Sequence, residues 1–511
     1  MPLTLDALLA HMEQVDAGRP ALVDLLGRQL SAPALARAVR RTATGLQALA
    51  GQPGAGVAVL GLNNIETIQT ILAAPLAGLL AVPLNLRWAP AEILHALHDA
   101  HVRIVALDDP FLPLLEPLRA QGPADMVFVH IGQGPTPAGM TPLADVLGAP
   151  IDLREDRDPA SDAIALYTGG TTGKSKGVVH SHASLMSGAQ VMAMANFPTG
   201  GKVYCGCFPY FHIAGIQPVL TRLLQSSTLV LVPMFRPDWL KVAVQQHGAQ
   251  QLGLAPTMMQ MLISSPDFKS EDFAGVERLM YGSSPMSAGL LGALRVAFPQ
   301  ADFTQAYGMT EAGIVVFLGP QFHTGPLARI DGAGQVGAPQ VRARIESEDG
   351  EVLMPGQVGE IVIYGETLMS RYQNQPEATA AAMRRGGYRT GDVGEIDALG
   401  VLYVRDRLKD MIITGGENVY SAEVESALST HPEVAQVAVV GVTDPQWGER
   451  VHAVVVPREA CEPTLEALQA HVRERIAGYK IPRALTLVSS LPMSPMNKVL
   501  KHELRRQLAQ A

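Results

Sequence analysis

The 511-residue chain carries three cysteines, too few for a disulfide framework, which points to a reducing compartment. Cys205 and Cys207 form a single C-x-C in an apolar stretch. With no second pair and no nearby histidine cluster, they read as small buried residues and not as a metal site. Positive charge is also scarce. Lys and Arg number 39 against 48 Asp and Glu, for a net charge of −9, so there is no basic bias of the kind that marks a nucleic-acid partner. Long hydrophobic runs are missing. The longest, 71–84, is broken by Pro75 and Pro83 and is too short to cross a bilayer; it reads as a buried helix leading into a buried strand. The first residues include Asp6, His11 and Glu13, without the basic start and small-residue cleavage pattern of an ordinary signal peptide. Internal repeats of 20–50 residues and low-complexity tracts are absent. A cytoplasmic protein with small-molecule partners, no nucleic acid and no membrane span is expected.

What the chain does have is length and alternation. At 47% apolar and 17% charged residues it has the make-up of a compact globular protein, and its length exceeds what one core serves, so two or more domains are expected. Short β-branched runs at 57–60, 104–107, 126–131, 228–232 and 251–255 alternate with helical patterns. That alternation predicts an α/β fold with largely parallel strands. Pro/Gly-rich pieces near 133–142 and 317–339 read as surface connections. Beyond 340 the strands come closer together, at 341–346 and 359–364, which predicts a small β-rich subdomain. A charged cluster at 405–410 follows a strand at 401–404 and precedes another at 411–414. The remainder has its own α+β pattern, with helices at 421–429 and 465–477 and strands at 434–442 and 451–456. The expected division is a large N-terminal domain at 1–405, made of layered α/β subdomains plus the β-rich piece. A hinge at 406–409 and a small mobile α+β domain at 410–511 complete it.

The densest local signal is 164–178, an apolar strand running into Thr168-Gly169-Gly170-Thr171-Thr172-Gly173-Lys174-Ser175-Lys176-Gly177. Glycines let backbone amides approach a polyphosphate, hydroxyls donate to it, and lysines supply compact charge. A Walker A loop requires glycine five positions before Gly173. Thr168 stands there and Gly169 comes one residue late, so this is a different phosphate grip.

Tyr167 to Gly177 resembles the signature loop of the adenylate-forming superfamily, which comprises acyl-CoA synthetases, peptide-synthetase adenylation domains and beetle luciferases. The family pattern is Tyr-Thr-Ser-Gly-Thr-Thr-Gly-x-Pro-Lys-Gly; here Gly169 replaces Ser and Ser175 replaces Pro. Further motifs follow in the family's order. Gln305-Ala306-Tyr307-Gly308-Met309-Thr310-Glu311, which alone would read as a capping Thr-Glu at a helix start, resembles the family's Tyr-Gly-x-Thr-Glu. Tyr281 to Met286 resembles its adenine wall, and Tyr388-Arg389-Thr390-Gly391-Asp392 matches its Tyr/Phe-Arg-Thr-Gly-Asp. Arg405 to Ile413 and Gly415-Gly416-Glu417-Asn418 resemble its hinge and the loop beyond. Pro492 to Lys501 resembles the segment that delivers its catalytic lysine, with Met496-Asn497 in place of Thr-Gly. Phe208 to Gly215 resembles the border of its acyl pocket. The stretch from 371 to 392 and that from 405 to 420 look most like bacterial fatty-acyl and aryl-CoA ligases.

The resemblance implies an ATP-dependent acyl-CoA ligase working through an acyl-adenylate, with Mg2+ and coenzyme A. Carried over by position, Lys498 is the catalytic lysine, Glu311 the Mg2+ ligand and Thr310 a phosphate contact. Residues 168–174 and Lys176 hold the phosphates; Ser283, Ser284, Pro285 and Tyr307 border the base. Asp392 takes the ribose hydroxyls, Arg407 contacts the nucleotide, and Lys409 is the pivot. Gly415, Gly416 and Glu417 line the thiol tunnel. His212 gates that tunnel, and Phe211 and Ala306 border the acyl pocket. Lys501, Arg505 and Arg506 read as a solvated helix face. Met258, Met259, Met261 and Met309 hint at an adaptable apolar pocket, and no arginine is clearly placed to hold a second carboxylate. A medium-chain or aromatic monocarboxylate is therefore the expected substrate, and a homodimer the expected assembly. Two alternatives stand beside this reading: a stand-alone enzyme that loads a carrier protein, and a non-catalytic nucleotide sensor. Such a sensor would dispense with Lys498 or Glu311, and both are present.

Overall fold

The structure is a computed structural model, and it describes residues 3–168, 175–195, 201–284, 286–493 and 499–510. The chain forms two compact units. The first takes 1–343 and 363–388, the second 344–362 and 389–511. The strands Val341–Glu346, Gly359–Gly365 and Gly387–Ile396 carry the chain from one unit to the other.

Two large sheets build the first unit. One has nine strands, with Val203–Gly206, Gln251–Leu254, Arg278–Gly282 and Asp302–Met309 running parallel near its middle. The other has eight, with Leu80–Pro83, Gly56–Leu60, Val102–Leu107 and Val127–His130 parallel. The parallel arrangement expected from the alternation is the one observed. Gly56–Leu60 and Leu80–Pro83 are apolar along their length, as strands covered on both faces are; Val57, Leu60, Val105 and Leu107 are fully buried. Each such side chain contributes about 1.5–3 kcal/mol of transfer free energy. The apolar run at 71–84 forms the end of the buried helix Ile65–Leu76 and the strand Leu80–Pro83. Asn64 starts that helix by accepting from the Thr67 amide at 2.8 Å. Met259 lies fully buried in a core cluster with Cys205 and Cys207, and Met258 packs against it. These two methionines are core packing, as the two cysteines are. Among the described residues no helix is long and apolar enough to cross a membrane.

In the second unit, Gly387–Ile396 pairs antiparallel with Leu402–Arg407, setting Asp392 opposite Arg407. The strand thus runs through Arg405–Arg407, where a break was expected after 404. A second sheet holds Ile412–Thr414, Glu417–Val419, Gly448–Pro457, Val434–Asp444 and Ala484–Leu487. Thr414 faces Glu417, so Gly415-Gly416 is a two-residue hairpin loop. Their φ angles of 60° and 84° are the left-handed pair that a type I′ turn needs.

The helix Lys501–Gln510 departs from its expected solvated character. Lys501 pairs with Glu425 at 2.6 Å, with side-chain exposures of 14% and 23%, and donates to Ser421 Oγ at 2.7 Å. Ser421 Oγ donates to the buried Asp406 at 2.7 Å. Arg505 reaches Asp410 at 2.8 Å. Only Arg506 of the three is exposed. Acids at both ends of the 405–410 cluster therefore anchor to other parts of the same unit, directly or through Ser421. Removing one partner leaves a poorly hydrated charge, so Glu425→Gln is expected to destabilise the protein by about 1–3 kcal/mol. Glu425→Gln/Lys501→Met is expected to lose less than the sum of its single variants. Chemical denaturation of the four proteins measures this, and additive losses would show that the pair carries no coupling.

Candidate active site

The phosphate-type loop leaves the strand Asp162–Thr168 and returns as Lys176–Ser181, an antiparallel pair with Thr168 opposite Lys176. Residues 169–174 lie outside the described residues, but both edges of the loop are fixed. At one edge, the Tyr167 hydroxyl donates to Asp99 at 2.7 Å, and Asn374 Nδ2 donates to the same carboxylate at 3.1 Å. At the other, Gly177 accepts from the Gln373 amide at 2.7 Å. A Cβ on Gly177 would come within 2.9 Å of the Tyr167 ring and 3.1 Å of Gln373, so glycine is required by close approach. The short strand Arg371–Tyr372 lies along Lys176–Ser181, Tyr372 opposite Val178.

Thr310 and Glu311 occupy the turn between Asp302–Met309 and Gly313–Leu318. The strand continues through Tyr307 to Met309, so no helix starts there and the capping reading is set aside. A bulge at Tyr307/Gly308 re-aims the turn, and a Cβ on Gly308 would lie 2.2 Å from the Gly313 carbonyl oxygen. The Thr310 carbonyl accepts from His180 Nε2 at 2.7 Å. A carbonyl only accepts, so the ring carries its proton on Nε2 and Nδ1 takes the Ser184 hydroxyl at 3.0 Å. Burial lowers the His180 pKa to about 4, keeping it neutral.

Glu311 is held by a tyrosine. The Tyr372 hydroxyl donates to Glu311 Oε1 at 2.9 Å. Burial, then the Glu311 carboxylate, push this hydroxyl's pKa upward, so it stays a proton donor. Lys176 Nζ sits 4.9 Å from the centroid of the Tyr372 ring, within cation–π range. The lysine that follows the phosphate-type loop and the acid of the Thr-Glu turn thus meet around one side chain. A carboxylate fixed in this way beside a threonine suits a hard divalent cation such as Mg2+.

The expected adenine wall joins a strand to a helix. Gly282 pairs with Ala306, and a Cβ on Gly282 would lie 2.4 Å from the Ala306 carbonyl oxygen. Ser283 has φ of 70°, a left-handed conformation costing a non-glycine residue about 1 kcal/mol or more. Pro285 lies outside the described residues. His212 precedes the helix Ile213–Leu224 and rests 4.2 Å, centroid to centroid, from Phe211. Phe208, Tyr210 and Gly215 line a small cavity with Tyr204 and Val219. Arg222 is fully buried with its guanidinium 4.3 Å from the Tyr204 ring centroid. Burial lowers its pKa to about 10, which still leaves it charged at neutral pH.

In the second unit, Asp392 is 3% exposed and receives Arg407 Nε at 2.6 Å. Its amide donates to Thr390 Oγ1 at 3.0 Å. Gly391 has φ of 69°, and the Leu408 amide bonds its carbonyl at 2.8 Å. Lys409 is exposed in the turn that follows Arg407. Lys498 lies outside the described residues. Sequence reasoning gave no role to Tyr372, Asp99, His180 or Arg222. Only the residue types were visible: His180 and His182 after Val178-Val179, and the tyrosine of Arg371-Tyr372.

The model for AMP-binding enzymes matches residues 9–373, and that for the AMP-binding enzyme C-terminal domain matches 423–498. This chain belongs to the AMP-binding enzyme family. A feruloyl-CoA synthase of Amycolatopsis sp is 35% identical over 485 residues, covering 94% of each chain. A fatty acid–[acyl-carrier-protein] ligase, ScoC, of Streptomyces coeruleorubidus is 32% identical over 495 residues, covering 94% of this chain and 92% of its own. Among solved structures, ATP-bound MatB from Rhodopseudomonas palustris superimposes with a TM-score of 0.88 at 29% identity, covering 99% of each chain. The α/β fold expected from the sequence is the fold of these enzymes. The chain is an adenylate-forming acid–thiol ligase of the acyl-CoA and aryl-CoA synthetase kind, a family that uses ATP, Mg2+ and coenzyme A.

The buried histidine yields a pH prediction. His180 has a folded-state pKa of about 4 against an ordinary 6.5, so the unfolded chain binds more protons between those values. The stability this contributes is full above about pH 6.5 and is lost as pH falls toward 4, on the order of 3 kcal/mol. His182, also lowered to about 4, acts in the same direction. Melting temperatures should fall from pH 7 to pH 4.5, and less steeply in His180→Gln. Equal slopes in the two proteins would contradict the neutral-histidine assignment.

Proposed function

We propose that the chain joins a medium-chain or aromatic monocarboxylate to coenzyme A through an acyl-adenylate. A carboxylate is a poor electrophile because its leaving group would be oxide. Attack on the α-phosphate of ATP forms the C–O–P anhydride and expels pyrophosphate, and a thiolate then displaces AMP. Catalysis of this kind needs alignment and charge neutralisation more than covalent help from protein. The observation that carries the reading is the convergence of Lys176 and Glu311 on Tyr372 in a chain that family models match at 9–373 and 423–498.

In this reading Lys498 places its ammonium between the carboxylate and α-phosphate oxygens. The 168–177 loop holds the leaving phosphates, and Thr310 donates to a phosphate oxygen. Glu311 would hold Mg2+, which when bound would supply charge neutralisation. The 283–285 turn and Tyr307 border the base, Asp392 takes the ribose hydroxyls, and Arg407 contacts the nucleotide. His212 stands between acyl site and thiol tunnel, with Phe211 and Ala306 bounding the acyl group and Gly415 to Glu417 bounding the tunnel. Residues 406–409 form the hinge between a domain at 1–405 and one at 410–511, and Lys409 is its pivot. The names of the feruloyl-CoA synthase and indoleacetate–CoA ligase relatives support the aromatic part of that class, while the fatty-acyl relative is named for long-chain acids. A second reading, with a carrier-protein thiol as acceptor, is favoured by the ScoC relative.

Pyrophosphate release with Mg-ATP across a panel of carboxylic acids, with and without coenzyme A, tests the proposal. Turnover of one acid class accelerated by coenzyme A is expected. Release without that acceleration would favour the carrier protein, and silence with ATP still bound would contradict catalysis.

The half-reactions separate by mutation. Lys498→Ala should lower adenylation by about 100-fold or more while still forming thioester from supplied acyl-adenylate. Lys409→Pro should do the reverse, because the proline ring fixes φ at the pivot. Equal loss of both half-reactions in both variants would contradict the two-conformation reading.

A further inference from the structure

The Tyr372 hydroxyl has one proton, and a carboxylate oxygen can only accept. The 2.9 Å contact to Glu311 Oε1 therefore spends that proton. The Tyr388 hydroxyl, 3.4 Å from the Tyr372 hydroxyl, must then be the donor of their contact. The result is a directed chain, Tyr388 to Tyr372 to Glu311, in which each bond polarises the next. Tyr372 is 6% and Tyr388 6% exposed, so water does not compete freely for these groups. The ring of Tyr372 serves a second purpose at its face, where Lys176 Nζ stands 4.9 Å from the centroid. The backbone secures the same arrangement: the Tyr372 amide donates to Thr379 Oγ1 at 2.9 Å, and the Met369 amide to the Glu311 carbonyl at 2.7 Å. A tyrosine that merely filled space would need neither the hydroxyl on a carboxylate nor the lysine on its face.

We propose that Tyr372 is a positioning residue. Its hydroxyl orients the Glu311 carboxylate toward a divalent cation, and its ring holds Lys176 toward the phosphates of the nucleotide. The inference rests on the proposed assignment of Glu311 to Mg2+. Partners that orient a metal-ligating side chain typically change metal affinity by about 10- to 100-fold when removed.

The test is ATP binding to the full chain by isothermal titration calorimetry, at a series of free Mg2+ concentrations and in EDTA. Tyr372→Phe keeps the ring and is expected to raise the free Mg2+ needed for half-maximal enhancement of ATP binding about 10-fold, with affinity in EDTA unchanged. Tyr372→Leu removes the ring as well and is expected to weaken binding in EDTA too. In a Glu311→Gln background Tyr372→Phe should add nothing, because it acts through that carboxylate. Tyr388→Phe removes only the outer donor and should shift the Mg2+ dependence in the same direction by a smaller factor, which keeps the test available if Tyr372→Phe does not fold. An unchanged Mg2+ dependence in Tyr372→Phe beside a shifted one in Glu311→Gln would overturn the positioning role alone. An unchanged dependence in Glu311→Gln would overturn the metal assignment on which it stands.

Discussion

In the proposed reaction the Glu311 carboxylate holds a cation beside a polyphosphate, and a carboxylate with that task must first be held itself; here one tyrosine hydroxyl holds it. Glu311 sits on a hairpin turn, where a side chain ordinarily has rotamer freedom to lose. Tyr372 removes that freedom with a charge-assisted bond, and its ring faces Lys176. Neighbouring contacts fix the segments that carry these three residues. Parallel strands deliver the Thr-Glu turn, His180 pins the Thr310 carbonyl from the neighbouring sheet, and Asp99 ties Tyr167 to Asn374. The glycines at 177, 282 and 308 stand where any side chain would strike a neighbour.

The second unit shows the same economy with charge. Asp392 and Arg407 face each other across an antiparallel pair and form an ion pair. Asp406 and Asp410 lie on either side of the pivot assigned to Lys409. Asp410 reaches the C-terminal helix directly, and Asp406 through Ser421 and Lys501. A run of charges that composition alone would call a solvated face is therefore partly a set of fixed contacts. In the proposed reaction this matters because the catalytic lysine lies just before that helix, at 498.

Much of this was legible in the sequence, for physical reasons that differ by element. The parallel strands at 57–60 and 104–107 were readable because burial on both faces demands unbroken apolar runs. The helix at 421–429 was found with its observed bounds. Thr310-Glu311 taken alone was ambiguous, since a Thr-Glu pair caps helices in many contexts; its order within Tyr307-Gly308-Met309-Thr310-Glu311 favoured the site reading, and the pairing with Gly313–Leu318 excludes the cap here. The strand end at Arg405–Arg407 was missed because alternating charge hides a strand whose partner lies fifteen residues earlier. Tyr372, Asp99 and Lys501 were beyond sequence reasoning for one shared reason: their partners lie 61, 68 and 76–80 residues away, and no local pattern records them.

Mass-spectrometric detection of the enzyme-bound acyl-adenylate, after mixing with Mg-ATP and an accepted carboxylic acid without thiol, tests the central claim most directly. The account predicts an acyl-AMP that accumulates in the wild type, falls sharply in Glu311→Gln and disappears on adding coenzyme A with formation of the thioester. A thioester formed with no adenylate at any time point, or an adenylate whose yield ignores Glu311, would contradict it.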